Sequence, residues 1–433
     1  MWALTVPLLV AGLTQIIVNI VDTIMLARHS TTALGAFALA APVYLIALVI
    51  VRGWATAVQI RVAQAHGAGD AGAVIQAVRV GLVTSALAGL AIGIMLYAAA
   101  EPVLTLLGAP AELIGPGGAY LRILAFAVPF AAASFTLQSA CSGVGVTRAA
   151  MYNALLVNAV NLPLGLLLIF NAGLGIEGAA FATLAATAAG TAVLLGYARA
   201  KLPQVPGDGR PVARTLWTLG WPEMSAMGVG YLNEALIAGF AARMGTPELA
   251  AYRITDNLLL IVFTVMASAS SSIAILAGHE AGAGHRAAAE RWRSIGIRLL
   301  LIVYAVPAAL VLLGGTALLG LFTASAEVVA LAWQVAPLAL LSLAPMVWAM
   351  AYGSFLRAHG DTRSVMVANV VGDYLVLIPL SWLLGLTLGL GLPGIYVAWT
   401  AFTVMLALLL WIRARRTASP AAQGSVELTS AQP

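Results

Sequence analysis

The tripeptide Gly67-Ala68-Gly69, inside the stretch Ala65-His66-Gly67-Ala68-Gly69-Asp70, returns 215 residues later as Gly282-Ala283-Gly284. The same spacing pairs Pro7 with Pro222, Arg28 with Arg243, Leu34 with Leu249, Gly81 with Gly296 and Glu112 with Glu327. It also pairs Gly145 with Gly360, Thr147-Arg148 with Thr362-Arg363, and Met151 with Met366. The offset then slips to 216, matching Asn153 to Asn369, Pro163 to Pro379, Gly178 to Gly394 and Ala182 to Ala398. The chain is an internal duplication. In an apolar chain, two like halves imply two membrane bundles, the layout of a secondary transporter.

Of the 433 residues, 62% are hydrophobic and 9% charged. A soluble domain is about a quarter charged, so these residues cannot build a soluble surface. The apolar stretches run to about 20 residues or more, enough to cross a hydrocarbon core of about 30 Å. Without water at that depth, each must be a helix that satisfies its own backbone. The short alternating strands of a membrane barrel are absent from the sequence. One cysteine, Cys141, excludes an intrachain disulfide. The first apolar segment is too long for a signal-peptide core and is expected to be the first span.

Apolar runs and their breakers predict twelve transmembrane helices, an all-α integral membrane protein of two six-helix bundles. The expected spans are about 3–27, 37–61, 74–99, 116–142, 149–170 and 175–198, then 214–242, 248–277, 294–320, 329–357, 364–387 and 391–413. The implied domains are a first lobe over 1–200, a cytoplasmic linker over 201–213, a second lobe over 214–416 and a disordered tail over 417–433. With the N-terminus placed inside, 16 of the 21 Lys and Arg residues fall near inside ends. Topology therefore accounts for the net charge of +5 without nucleic acid, and both termini are expected in the cytoplasm. An even number of spans per half gives both halves the same direction. Their pseudo-two-fold axis is then expected along the membrane normal.

Ionisable groups at mid-bilayer cost about 2.5–3.5 kcal/mol on insertion scales, which makes them functional candidates. Within the spans these are Asp22, Glu223, Glu234, Asp256 and Asp373, with Arg52, Arg122 and Arg253. Asp22 follows Pro7 on helix 1, and proline there is expected to bend the helix, as Pro222 does in helix 7. Burial disfavours the charged form of a carboxylate, so Asp22 can bind and release a proton or hold Na⁺. The structural alternative is an ion pair with Arg28 or Arg52. On helix 5, Asn158 and Asn161 share a face and can offer oxygens to a cation, or simply bond between helices. Glu234 stands where the repeat has Asn19, and Asp373 lies six residues before Pro379. Asn19, Glu234, Asp373 and Asp256 are taken as cavity candidates, although an i,i+3 pair with Arg253 is the simpler role for Asp256. The five histidines lie at span ends or loops, and no Cys or carboxylate set completes a metal site. The Gly-Ala-Gly turns lack the strand and the Gly-Lys-Ser/Thr of a phosphate loop.

Taken together, these residues make the chain resemble the multidrug and toxic compound extrusion (MATE) family. The likeness is carried by Pro7 with Val21-Asp22-Thr23, by Ala65–Asp70, and by Gly143-Val144-Gly145-Val146-Thr147-Arg148. Gly178-Ala179-Ala180-Phe181-Ala182-Thr183 and Leu356-Arg357-Ala358-His359-Gly360-Asp361-Thr362-Arg363 extend it. The resemblance implies cation-coupled efflux by rocking of two lobes. In the DNA-damage-inducible (DinF-like) branch, to which the chain looks closest, the first-lobe cation site matches Asp22, Asn161, Gly165 and Thr183. Gly165 departs from that pattern, since the family has a second acid there. The helix 7 acid of another branch falls on Gly230, with Glu234 one turn away.

The expected protein is a cell-membrane antiporter that exports amphipathic, cationic or aromatic compounds in exchange for H⁺ or Na⁺. It needs no other cofactor and works as a monomer among small-molecule substrates and lipid. The alternatives are a lipid-linked precursor flippase of the same superfamily, a membrane-embedded enzyme and a passive channel. A flippase would need a more basic cavity, and no paired catalytic acids or nucleophile elbow points to an enzyme.

Overall fold

The computed structural model describes residues 1–206, 211–323 and 325–418. Residues 207–210 of the expected linker and 419–433 of the expected tail lie outside the described residues. All regular structure among the described residues is helical.

The chain divides by internal contacts at Gly228/Val229 into two compact units. The first contains α1 (Trp2–His29), α2 (Thr31–Gly67), α3 (Ala71–Leu106), α4 (Ala111–Ala125), α5 (Ala127–Gly143), α6 (Arg148–Leu166) and α7 (Gly175–Lys201). It also takes the first half of α8 (Ala213–Met244). The second contains the rest of α8, then α9 (Thr246–Gly282), α10 (Arg286–Leu319), α11 (Ala326–Leu343) and α12 (Met346–Ala358). It is completed by α13 (Thr362–Gly372), α14 (Ile378–Leu380) and α15 (Leu392–Ala418).

Among the described residues ten helices are long and apolar enough to cross a membrane, and the bent pair α4–α5 makes an eleventh span. Helix α8 has 32 residues, also long enough, but Glu223, Pro222, Glu234 and several glycines make it less apolar. Its first half is anchored inside the first unit by close backbone approach. A Cβ at Gly53 would lie 2.7 Å from the Cα of Met224, and one at Gly220 would lie 2.8 Å from the Trp54 ring. Those contacts keep the first half of α8 with the first unit.

Several helices run past the expected ends. At 37 residues, α2 and α9 are about 55 Å long, well beyond a hydrocarbon core. Helix α10 starts at Arg286 rather than 294, because charged residues outside the apolar run still extend the backbone ladder. The single helix expected over 116–142 is instead α4 and α5, bent by 46°. Pro129 cannot donate to the Ala125 carbonyl, which leaves the turn at Phe126 open. Pro345 precedes α12 at the matching break after α11. By contrast, α1 and α8 run without interruption through the buried Pro7 and Pro222.

The duplication is visible in backbone geometry. Gly69 and Gly284 both take positive φ, 70° and 78°, in the tight turns where a side chain would be strained. Spans 5 and 11 each end in a π-helical turn, Leu167–Asn171 and Ser381–Thr387. A glycine in the first turn of the next span packs on each. A Cβ at Gly178 would come within 2.8 Å of the Leu168 backbone, and one at Gly394 within 2.7 Å of the Leu384 backbone. We expect Gly178→Ala and Gly394→Ala each to cost about 1–3 kcal/mol through overpacking. Gly196→Ala, in open space, should cost nothing. Thermal unfolding in detergent checks this; equal melting points for all three variants would contradict the close-approach reading.

Candidate functional site

In the first unit, α1, α6 and α7 converge around position 165. A Cβ there would meet Met25 Cε at 3.2 Å and Ala182 Cβ at 3.9 Å, so the second acid of the family pattern is replaced by room for a methionine. Asn158 donates from Nδ2 to the Thr14 carbonyl at 3.4 Å, tying α6 to α1. Asn161 is 2% exposed, and its Nδ2 donates to Thr183 Oγ1 at 3.2 Å. Its buried Oδ1 has no hydrogen-bond partner and is an available cation ligand. The structure thus joins Asn161 to Thr183 and Asn158 to α1.

Asp22, one turn before Met25, is half-buried. Neither an ion pair nor a hydrogen bond to its carboxylate is found among the described residues, so the pairing with Arg28 or Arg52 is not formed. Its electrostatic neighbour is Tyr120 on α4, itself beside Tyr44 of α2. Both tyrosines are buried, and Phe37 packs edge-on against Tyr120 with ring centroids 5.7 Å apart. Sequence reasoning missed this aromatic wall, because apolar-run counting treats a tyrosine as lining for lipid or core. Asn19 is exposed, and its carbonyl accepts from Thr23 Oγ1 of the same helix at 2.7 Å.

The second unit holds a denser polar group. Glu234 on α8 accepts from the Tyr252 hydroxyl at 3.1 Å, and Arg253 Nη1 lies 3.6 Å from the same carboxylate oxygen. Asp256 is within electrostatic range of both Glu234 and Arg253. The ion pair therefore falls on Glu234 rather than forming the expected i,i+3 pair within α9. Tyr396 stacks on Tyr252 at 6.4 Å and lies close to Asp256. Asp373 is buried at the start of another π-helical turn, Asp373–Leu377. Its neighbour Asn233 approaches it without reaching hydrogen-bond geometry, and both Asn233 amide atoms are buried without a partner. Tyr252, Tyr396 and Asn233 went unnoticed in the sequence. Only the adjacency of Asn233 to Glu234, and of Tyr252 to Arg253, could have signalled them.

Glu223 is 3% exposed and is engaged by neighbours. Among the described residues no three His, Cys, Asp or Glu side chains gather as a metal site. His285 instead faces Glu280 at 3.2 Å.

A duplicated helical membrane protein with a polar site buried in each unit is a transporter by architecture, and comparison with known proteins agrees. The MatE family model matches residues 7–167 and 227–383, one stretch in each repeat. The chain belongs to the MatE family of multi-pass membrane transporters and is not an enzyme. It is 28% identical to the probable multidrug resistance protein NorM of Bradyrhizobium diazoefficiens, covering 96% of this chain and 92% of that one. It is 27% identical to the multidrug resistance protein PmpM of Pseudomonas aeruginosa, covering 95% and 91%. A crystal structure of MATE in complex with MaD3S superposes with a TM-score of 0.89 at 17% identity, over 97% of this chain and 96% of that one. A point mutant of the MATE transporter VcmN of Vibrio cholerae superposes at 0.86 with 21% identity, over 96% and 95%.

The Glu234–Tyr252 bond sets a double-mutant test. Glu234→Gln and Tyr252→Phe should couple by about 0.6–1.7 kcal/mol, the range for hydrogen bonds between membrane helices. Additive losses of stability in detergent unfolding would show that the two side chains do not interact.

Proposed function

We propose that the protein exports small amphipathic compounds, cationic or aromatic, across the cell membrane in exchange for H⁺ or Na⁺. Asp22 is the group that couples the two movements. The observation that carries this reading is a carboxylate held at membrane depth in the first unit with no compensating charge. A carboxylate without a cation is costly in that setting and gains most from taking one. In the second unit Arg253 already offsets Glu234, which leaves that acid with less to gain from an incoming ion.

Asn161, Asn158 and Thr183 supply neutral oxygens around the same helices. With one acid and only neutral neighbours, a proton is favoured over a stripped Na⁺, whose dehydration calls for more negative charge. This follows the first-lobe arrangement of the DNA-damage-inducible branch, although the curated relatives carry NorM-type names. Asn19, Glu234, Asp256 and Asp373 are the polar groups offered to substrate. Pro7 and Pro222 leave helix bonds unmade at which α1 and α8 can bend. Ion and substrate must stabilise different states of the transporter, since a ligand that binds both equally shifts neither.

The basic residues near expected inside ends support cytoplasmic termini, and one chain carries every residue the scheme uses, which fits a monomer. Relatives named for multidrug resistance favour drug export over the flippase alternative.

Proteoliposomes loaded for efflux of a fluorescent cation test the coupling. Under a proton gradient the wild type should concentrate the dye, and Asp22→Asn should fall to the passive rate while still binding dye at equilibrium. An Asp22→Asn protein that concentrates dye under either a proton or a Na⁺ gradient rules out this role.

A further inference from the structure

At the end of the second unit where α10 begins and α12 and α15 finish, a cavity of about 200 Å³ opens between the three helices. Its lining includes Glu290, Arg293, Tyr352, Phe355, Trp411 and Arg415. The Arg293 guanidinium lies over the Tyr352 ring at 4.9 Å and near Phe355 at 5.8 Å. Arg415 lies over Trp411 at 3.9 Å. Neither guanidinium has a carboxylate within ion-pair distance among the described residues. Stacking engages the flat face of a guanidinium and leaves its in-plane N–H groups free for a forked bond to phosphate oxygens. Two guanidinium groups therefore line one small cavity, with no carboxylate in ion-pair contact among the described residues.

Arg286 and Glu290, one charge of each sign, both act on the neighbouring His359. Burial holds the His359 imidazole below its ordinary value, outweighing the bond from its Nδ1 to the Phe355 carbonyl at 2.9 Å. It is therefore neutral at pH 7, with its ring packed on Phe355 at 4.3 Å. The lining carries two arginines against one glutamate, a net excess of one positive charge. The cavity also lies at the Arg-rich ends of three apolar helices, and Arg and Trp gather where such helices meet the membrane surface.

We infer that this cavity binds the phosphate of an anionic phospholipid headgroup, clasped between Arg293 and Arg415. Basic pockets between transmembrane helices bind such headgroups, and the aromatic rings pack against the glycerol and upper acyl carbons. The site is separate from the exchange chemistry at Asp22 and does not depend on it.

Binding of dioctanoyl phosphatidylglycerol to the purified full-length protein in neutral detergent, followed by native mass spectrometry, tests the assignment. Each basic residue near an anionic lipid contributes about a fivefold gain. The double variant Arg293→Gln/Arg415→Gln should then bind about thirtyfold more weakly. Arg291→Gln/Arg298→Gln removes two exposed arginines of α10 outside the cavity and should stay within about twofold of wild type. Glu290→Gln should bind about fivefold more tightly, and this keeps the test decisive if the double variant fails to fold. Dioctanoyl phosphatidylcholine and inorganic phosphate should not compete at equal concentration. Equal losses in the two double variants would mean diffuse attraction rather than a site. Competition by inorganic phosphate would mean a soluble-anion site. Either result overturns the proposal, as does unchanged binding in Arg293→Gln/Arg415→Gln.

Discussion

The absence of water at bilayer depth governs the rest of this structure. It forces the backbone into helices, and it then requires every polar side chain on those helices to find a partner within its own bundle or remain exposed at a cost. Glu234 illustrates the first outcome, with Tyr252 and Arg253 on one carboxylate oxygen. Asp22 illustrates the second, with the buried Tyr120 as its electrostatic neighbour and no ion pair among the described residues. The two acids differ in whether the fold supplies a counter-group.

Helix packing answers to the same constraint in another way. Lipid tails are as apolar as leucine, so burying apolar area does not drive helices together in a bilayer, and close backbone approach has to. Gly53 and Gly220 seat α8 on α2, and Gly178 and Gly394 seat the last helix of each repeat on a π-turn. Such contacts tolerate no side chain, which is why Gly178 recurs as Gly394 while the exposed Phe181 three residues on becomes Val397. Tyr304 shows the lesser role of side-chain bonds, donating across to the Leu340 carbonyl at 2.9 Å between α10 and α11.

The same physics decides what could be read from the sequence. The twelve spans and the turn glycines Gly69 and Gly284 were legible because hydrophobicity and φ are local properties. The bend at Phe126 was not, since apolar content continues unbroken through Pro129, and neither was the start of α10, whose first turns are charged but still helical. Within the site, Asn161 and Thr183 were recognisable together only through family resemblance, because their bond joins residues 22 apart in sequence. The Tyr252–Glu234 bond and the buried Asn233 had no such guide. A tyrosine in an apolar run looks like packing until a neighbouring helix presents an acceptor.

The two repeats also differ in a way that bears on mechanism. At the repeat offset, Glu234 answers to Asn19, Tyr252 to Phe37, Arg253 to Ala38 and Asp256 to Ala41. The second unit has gained a charged network where the first keeps neutral or apolar groups, while the glycine contact on the π-turn is the same in both. Duplication fixes backbone geometry because both copies must pack. It leaves charge free to diverge, as Glu234, Arg253 and Asp256 do against Asn19, Ala38 and Ala41. An acid held by a guanidinium already has its countercharge, and an incoming cation must displace that guanidinium or share with it. Asp22 has no guanidinium within ion-pair distance among the described residues, so a cation arriving there meets no such competition.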